Sequence, residues 1–299
     1  MYELVQVGPQ SYYIQSPSKI GVYVRDNGEA FLIDGGSDKD AAKKVKKHLD
    51  QKGWTLKGIL STHSHADHTG GCAWLQDQTD CKIFSDGLNG AFMQWPEMEP
   101  AFLFGAYPCK DLRHKSLMAP PVVEVSELTD PDYPEEVWPV GLGGHWFLQT
   151  GYYTPDGTVF LADCLSSEST LEKYGISFLY NVKHHLDTLD YVAEMRQRSG
   201  LNIRIFVPSH AEPTEDITPL ARTNQQAVKD TAERILSFCD EPIVFELLLQ
   251  KVFDHYNLNM NFQQYALIGS TVRSYLSWLR DLGRVEVLFE NNLMLWKKV

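Results

Sequence analysis

The first 35 residues carry short extended runs of apolar side chains. Ile20–Arg25 and Ala30–Asp34 flank Asn27-Gly28, a pair that accepts the positive φ angles of a tight hairpin turn. Asp34-Gly35-Gly36 then closes a strand abruptly, and Ser37 or Asp38 can cap the helix that follows. There Ala41, Val45 and Leu49 recur at helical spacing among lysines. Beyond Gly53, Lys57–Thr62 reads as another strand. Alternation of strand, helix and strand predicts a layered α/β fold. Residues 86–121 break this rhythm, with Leu88, Phe92, Met93, Trp95, Phe102, Leu103, Phe104 and Tyr107 set among prolines without clear periodicity. An insertion of this kind is open to three readings: a lid over a pocket, a homodimer interface, or irregular structure packed on the body. Strands are expected again at Val122–Val125, and at Phe147–Tyr153 and Thr158–Asp163 around the turn Pro155-Asp156-Gly157. Leu186–Gln197 reads as a helix and Ile203–Val207 as a buried strand.

From about Pro219 the pattern turns helical, over Asn224–Phe238, Val244–Tyr256 and Ser270–Leu282. A hairpin from Arg284 to Lys298, turning at Glu290-Asn291-Asn292, completes the outline of a winged helix. The expected division is therefore a domain at 1–218 and a smaller winged-helix-like one at 219–299. Nine basic and nine acidic residues fall from position 221 onward, so the whole formal charge of -12 lies upstream. That balance argues against a protein coating nucleic acid, because non-specific binding is carried by Lys and Arg. The five cysteines, at 72, 81, 109, 164 and 239, include no CxxC pair, and no basic and apolar leader opens the chain. A reducing cytoplasm is the expected compartment. No apolar run approaches the roughly 20 residues of a spanning helix.

The densest chemistry is Thr62-His63-Ser64-His65-Ala66-Asp67-His68-Thr69-Gly70-Gly71, directly after a strand. Imidazole and carboxylate are the groups that zinc and similar divalent ions take. In an extended segment alternate side chains share a face, which would set His63, His65 and Asp67 together. His68 would then turn toward a second ion as the chain bends through Gly70-Gly71.

This HxHxDH run followed by Thr-Gly-Gly resembles the central motif of the metallo-β-lactamase-fold metallohydrolases. Gly144-His145, Val159-Phe160-Leu161-Ala162-Asp163 and Val207-Pro208-Ser209-His210 are similar to that family's later motifs, with Ala162 where glycine is usual. The resemblance spans residues 1 to about 215 and implies an αββα sandwich of four layers. It also implies two divalent ions, zinc with iron or manganese as alternatives. One would be held by His63, His65 and His145, the other by Asp67, His68 and His210, with Asp163 between them. Asp34, in Leu32-Ile33-Asp34-Gly35-Gly36, matches an early aspartate that supports the ligand loop. The implied chemistry is attack by a hydroxide shared between the ions, with Asp67 orienting it. A less close likeness is to bacterial members with a C-terminal winged-helix-like domain.

The chain departs from relatives that continue the third motif as Gly-His-Thr-Pro-Gly-Ser, since it has Trp146-Phe147-Leu148-Gln149 after His145. It also lacks the C-terminal pattern of the thioesterase glyoxalase II. The expected substrate is a small ester, thioester, lactone or amide. Two alternatives stand beside it: a phosphodiesterase gripping nucleic acid through Arg273, Arg280, Arg284, Lys297 and Lys298, and an iron-dependent sulfur oxygenase. The remaining candidates read as structural. His184-His185 suits a cap or a partly buried pair, and His48, His114 and His255 have no ligand-spaced neighbours. Cys164 should point into the core, and Tyr152, Tyr153 and Tyr180 should pack. The aromatics from Trp95 to Phe104 are the expected walls of an apolar acyl or ring pocket.

Overall fold

Residues 2–299 are described by a computed structural model. The first sheet has seven strands lying in sequence order: β1 (Leu4–Gln6), β2 (Ser11–Ile14), β3 (Ile20–Val24), β4 (Glu29–Ile33), β5 (Thr55–Leu60), β6 (Lys82–Ser85) and β7 (Ser126–Glu127). Hairpins pair β1 to β4 antiparallel, whereas β4 to β7 pair in parallel and need crossovers. The crossovers are α1 (Lys39–Lys52), then α2 (Ala66–Thr69) with α3 (Cys72–Thr79), then α4 (Gly87–Gln94) with α5 (Met98–Phe104). Asp38 caps α1 by accepting from the Asp40 and Ala41 N–H groups, and Ala41, Ala42, Val45 and Leu49 form its buried face. A second sheet runs β11 (Ile205–His210), β10 (Thr158–Ser166), β9 (Thr150–Tyr153), β8 (Trp138–Gly141). Between β10 and β11 lie α6 (Glu168–Tyr174), α7 (Val182–Ala193) and α8 (Met195–Arg198). The chain ends in α9 (Thr218–Ser237), β12 (Ile243–Val244), α10 (Phe245–His255), α11 (Phe262–Asp281), β13 (Val285–Glu290) and β14 (Leu293–Lys298). These last three strands form a small sheet in the order β12-β14-β13.

Three cores separate the layers. Tyr13, Phe31, Leu60, Phe84, Tyr152 and Phe160 fill the space between the two sheets. Val22, Leu32, Val45, Leu49, Ile59 and Leu75 join the first sheet to α1 and α3. Behind the second sheet, Leu161, Leu189, Ile235, Leu249, Val272 and Leu279 belong to one continuous core that reaches from β10 through α7 and α9 into α11. The result is the αββα sandwich of four layers, with the C-terminal helices sharing the outer core of the second sheet. No helix among the described residues is long and apolar enough to cross a membrane.

Several boundaries differ from the sequence expectation. Val122–Val125 is not a strand: the Val122 N–H donates to the Met93 carbonyl and the Val123 N–H to Gln76 Oε1, so sheet pairing starts only at Ser126. β9 begins at Thr150 rather than Phe147, because Trp146 and Phe147 join an aromatic cluster outside the sheet. The insertion holds two helices, α4 and α5, whose apolar positions are too close together to show a polar face. α11 starts at Phe262, capped by Asn261, and Gln263 and Gln264 hide its first turn from a search for apolar period. The C-terminal hairpin turns as expected, with Asn291 and Asn292 both at positive φ.

Candidate metal centre

The motif leaves β5 at Leu60 and stays extended only as far as His65. α2 begins at Ala66, which separates Asp67 from the two histidines. The expectation that His63, His65 and Asp67 share one face is corrected by this early turn. His63 and His65 group with His145, while Asp67 and His68 group with Asp163 and His210. Within each group, the ligand-type atoms lie within 4.8 Å of one another. His145 follows β8 on a turn where Gly144 has φ 116, and a Cβ there would meet the His185 backbone nitrogen at 2.2 Å. Only glycine fits. Asp163 sits on β10 just past a register shift at Ala162, whose φ is 50. The family's usual glycine belongs to this left-handed backbone, so Ala162 carries a strain of about 1–2 kcal/mol. His210 ends β11.

Around the first group, His63 Nε2 and His145 Nε2 approach His65 Nδ1 at 3.0 and 3.1 Å. The second group centres on Asp163, whose Oδ2 accepts from His210 Nε2 at 3.0 Å and lies 3.8 Å from His145 Nε2. Its Oδ1 is 3.1 Å from His68 Nε2, yet neither atom has a hydrogen-bond partner and both are buried. Orphaned buried polar atoms are costly, and a cation between them removes the cost. The donor set, three imidazoles beside two imidazoles and two carboxylates, fits divalent ions.

Four of the five imidazoles have their far nitrogen occupied. His145 Nδ1 donates to the Phe178 carbonyl and His210 Nδ1 to the Pro17 carbonyl, each at 3.1 Å. A carbonyl only accepts, so Nε2 is left free to ligate. Asp34 does the same work for the motif loop. It accepts from the Thr62 N–H and Oγ1 at 2.8 Å and from His68 Nδ1 at 2.7 Å, and Thr62 Oγ1 meets His63 Nδ1 at 2.9 Å. The sequence reading of Asp34 as a support holds. The far nitrogen of His65 faces Glu99 Oε1 at 4.0 Å, a buried carboxyl supplied by α5.

Burial holds the His63 and His145 imidazoles below the usual range, and burial with His145 nearby brings His65 to about 3. The second group behaves oppositely. For His68, burial is outweighed by the Asp163, Asp67 and Asp34 carboxylates, and Asp163 likewise raises His210. For Asp163, burial is outweighed by His210 and His68, so its carboxyl stays ionised. Asp67 is the most open of the set, with a side chain 46 % exposed, and takes a hydrogen bond from Ser18.

Sequence reasoning missed Glu99, which has no signal to set it apart from Glu97 two residues away, an exposed partner of Arg113. Trp146 was missed too: it is fully buried, 4.5 Å from the His65 ring and packed on Phe92 and Phe102. The insertion thus buttresses the ligand rings. A cavity of about 320 Å³ meets His145, Asp163 and His210, but its walls come from residues 174–179 and α11 rather than from Trp95–Phe104. Trp95 itself is 71 % exposed. Of the His184-His185 pair, His184 is exposed and His185 buried, and Asn181 is the cap of α7. Cys164 is buried as expected, Tyr152 donates to the Ser61 carbonyl, and Tyr180 stacks on Phe147.

Sheets back to back between helical layers, with histidines and aspartates gathered at one edge by a strand end, a turn and a bulge, define a class of metalloprotein. The chain belongs to the metallo-β-lactamase superfamily, whose sequence profile matches residues 21–210. It is 36 % identical over 216 residues to a metallo-beta-lactamase type 2 of Pseudomonas aeruginosa, covering 72 % of this chain and 76 % of that one. A hydroxyacylglutathione hydrolase of Rhodopseudomonas palustris (strain BisB18) is 40 % identical over 70 residues, 23 % of this chain and 26 % of the relative. The match thus spans about a quarter of that relative's length. Among solved structures, a metallo-beta-lactamase family protein from Thermus thermophilus superposes with TM-score 0.72 at 19 % identity, covering 97 % of this chain and 99 % of that one. A beta-lactamase domain protein from Burkholderia ambifaria gives TM-score 0.73 at 15 % identity over 99 % of this chain and 94 % of that one. Both matches run through the C-terminal helices, so the shared fold includes them.

Proposed function

We propose that the chain is a metal-dependent hydrolase of a small carboxylic ester, thioester, lactone or amide, working in the cytoplasm. The observation that carries this reading is the pair of ligand groups joined by Asp163, whose two oxygens face His68 and His210. His63, His65 and His145 would hold one ion and Asp67, His68 and His210 the other, with Asp163 between; zinc is the metal we infer. Bound there, divalent ions supply a hydroxide nucleophile near neutral pH and polarise the oxygen under attack. The chain's own residues do the rest. Asp34 and Thr62 fix the motif loop, the Phe178 and Pro17 carbonyls fix the ring tautomers, and Asp67, open to solvent, is placed to orient a water or accept its proton. Incubating the zinc-loaded protein with a panel of small esters, thioesters, lactones and phosphodiesters tests this. Turnover confined to the acyl compounds is expected, and cleavage of phosphodiesters alone would overturn it.

We read residues 219–299 as a winged-helix-like unit that packs on the 1–218 domain rather than gripping nucleic acid. Arg284 pairs with Glu233 and Lys298 with Asp240, Arg273 lies 3.9 Å over the Phe245 ring, and Arg280 donates to the Val285 carbonyl. These pairings leave little basic surface for a polyanion.

Two further results are expected. Glu99→Gln weakens ion binding by less than the roughly 10–100-fold that follows loss of a hydrogen-bonded outer partner, since the carboxyl stands 4.0 Å from His65, read by competition with a chromophoric chelator. Unchanged affinity would return Glu99 to a packing role. Metal uptake also carries a pH signature. Burial lowers all three imidazoles of the first group below 6.5, so its affinity changes little between pH 7 and 8. His68 and His210 hold protons above 6.5 in the metal-free protein, and an ion must displace them. Affinity of the second ion therefore rises with pH, with release of up to about two protons measured by calorimetry in buffers of different ionisation enthalpy.

A further inference from the structure

The cavity beside the ligand groups has a composition that narrows the substrate, given the hydrolase reading above. One end is formed by His145, Asp163 and His210. Its walls are Ile176, Phe178 and Leu179 from the segment before α7, Leu258 from the connection between α10 and α11, and Leu267 and Ile268 from α11. Two polar side chains on its rim are already engaged: Asn224 bonds the Ser166 N–H and carbonyl, and Thr271 bonds the Leu267 carbonyl. The surface offered to a ligand is therefore mainly apolar. One group breaks that pattern. His185 is 4 % exposed, lines the cavity, and its Nδ1 has no partner within the described residues. An imidazole at this place brings hydrogen-bonding nitrogens to a wall that is mainly apolar. A histidine in a chiefly apolar wall can hydrogen-bond a polar ligand atom.

We propose that this cavity is the acyl subsite, taking a chiefly apolar acyl group with one hydrogen-bonding substituent opposite His185, and that α11 sets its length. At 320 Å³ the space holds on the order of ten water-sized groups. The carbonyl lies at the end closed by His145, Asp163 and His210, and the chain runs along Phe178, Leu267 and Ile268. The C-terminal helices thereby become part of the specificity apparatus, which explains why α11 shares the core of the second sheet. Nothing in this assignment uses the aromatic insertion.

Binding of neutral N-methylamides of unbranched acids, from about four to ten carbons, to the metal-free full-length protein tests it by calorimetry, without turnover. The expected dissociation constant falls about fourfold per methylene until the cavity is full, then levels off. Ile268→Trp, which fills the space, moves that break to shorter chains, and Leu258→Ala moves it to longer ones; either variant alone decides the matter if the other does not fold. His185→Phe abolishes the preference for hydroxyl-bearing over plain amides. Affinity that does not depend on chain length, or a break that neither variant moves, overturns the proposal. If the amides bind with the expected break while the zinc-loaded protein cleaves none of the matching esters, thioesters, lactones or amides, the subsite stands and the hydrolase reading fails. If thioesters are cleaved with no length dependence, the hydrolase reading stands and the subsite fails.

Discussion

Changing His63 and His65 together to Ala is expected to abolish turnover and remove one bound ion while leaving the fold in place. The two imidazoles converge with His145, and no other His, Cys, Asp or Glu is grouped with these three among the described residues. The loss should exceed the roughly 10–100-fold effect of an outer partner, because here the ligand atoms themselves are gone. Folding survives because both side chains lie beyond the end of β5, outside the apolar clusters that join the layers. Circular dichroism should match the parent, and metal analysis should fall by one ion per chain. Retained turnover would refute the assignment.

Asp34→Ala is expected to cost about 3–5 kcal/mol of stability, the range for removing one partner of a buried charged network. Asp34 is 2 % exposed and holds the Thr62 N–H, the Thr62 hydroxyl and His68 together. Its removal strips three donors of their acceptor and releases the motif loop from β4. Asp34 also sits at φ 69, where alanine is strained and aspartate is better tolerated. Asp34→Asn keeps the backbone tolerance and part of the bonding, so it should cost clearly less. Urea unfolding of the metal-free proteins gives both values, and a loss below about 1 kcal/mol for the alanine variant would show that the loop is held by something else.

The candidate ligand groups were legible because the chemistry is local. HxHxDH packs four donor groups into six residues, and the later motifs follow a strand at His145, sit at a register shift within one at Asp163, and end one at His210. Even there, pure strand geometry misplaced Asp67, since α2 starts at Ala66 and no capping side chain announces it. What the sequence hid depends on long-range packing. Glu99 reaches His65 only because α5 folds back over the motif, and an acidic residue in an apolar segment looks the same whether it is buried or exposed. The aromatic segment does line a cavity, of about 760 Å³ with Phe102, Leu103 and Phe104 in its wall, but not the one that meets His145, Asp163 and His210, since Phe92 and Phe102 also pack on Trp146. Walls come from Leu267 and Ile268, ordinary helical apolar residues in sequence, which only the packing of α11 brings to the site. Strand ends were misjudged where backbone N–H groups bond helix residues instead of a strand, as at Val122 to Met93 and Val123 to Gln76.

The central claim is that Asp163 joins two metal sites of different ligand chemistry. Elemental analysis of untagged protein, purified without chelator and then saturated with zinc and desalted, tests it most directly. The account predicts two ions per chain in the parent and one in either His63→Ala/His65→Ala or Asp67→Ala/His210→Ala. A parent that retains fewer than one ion after saturation, or ions that stay when both pairs of ligands are gone, would contradict it.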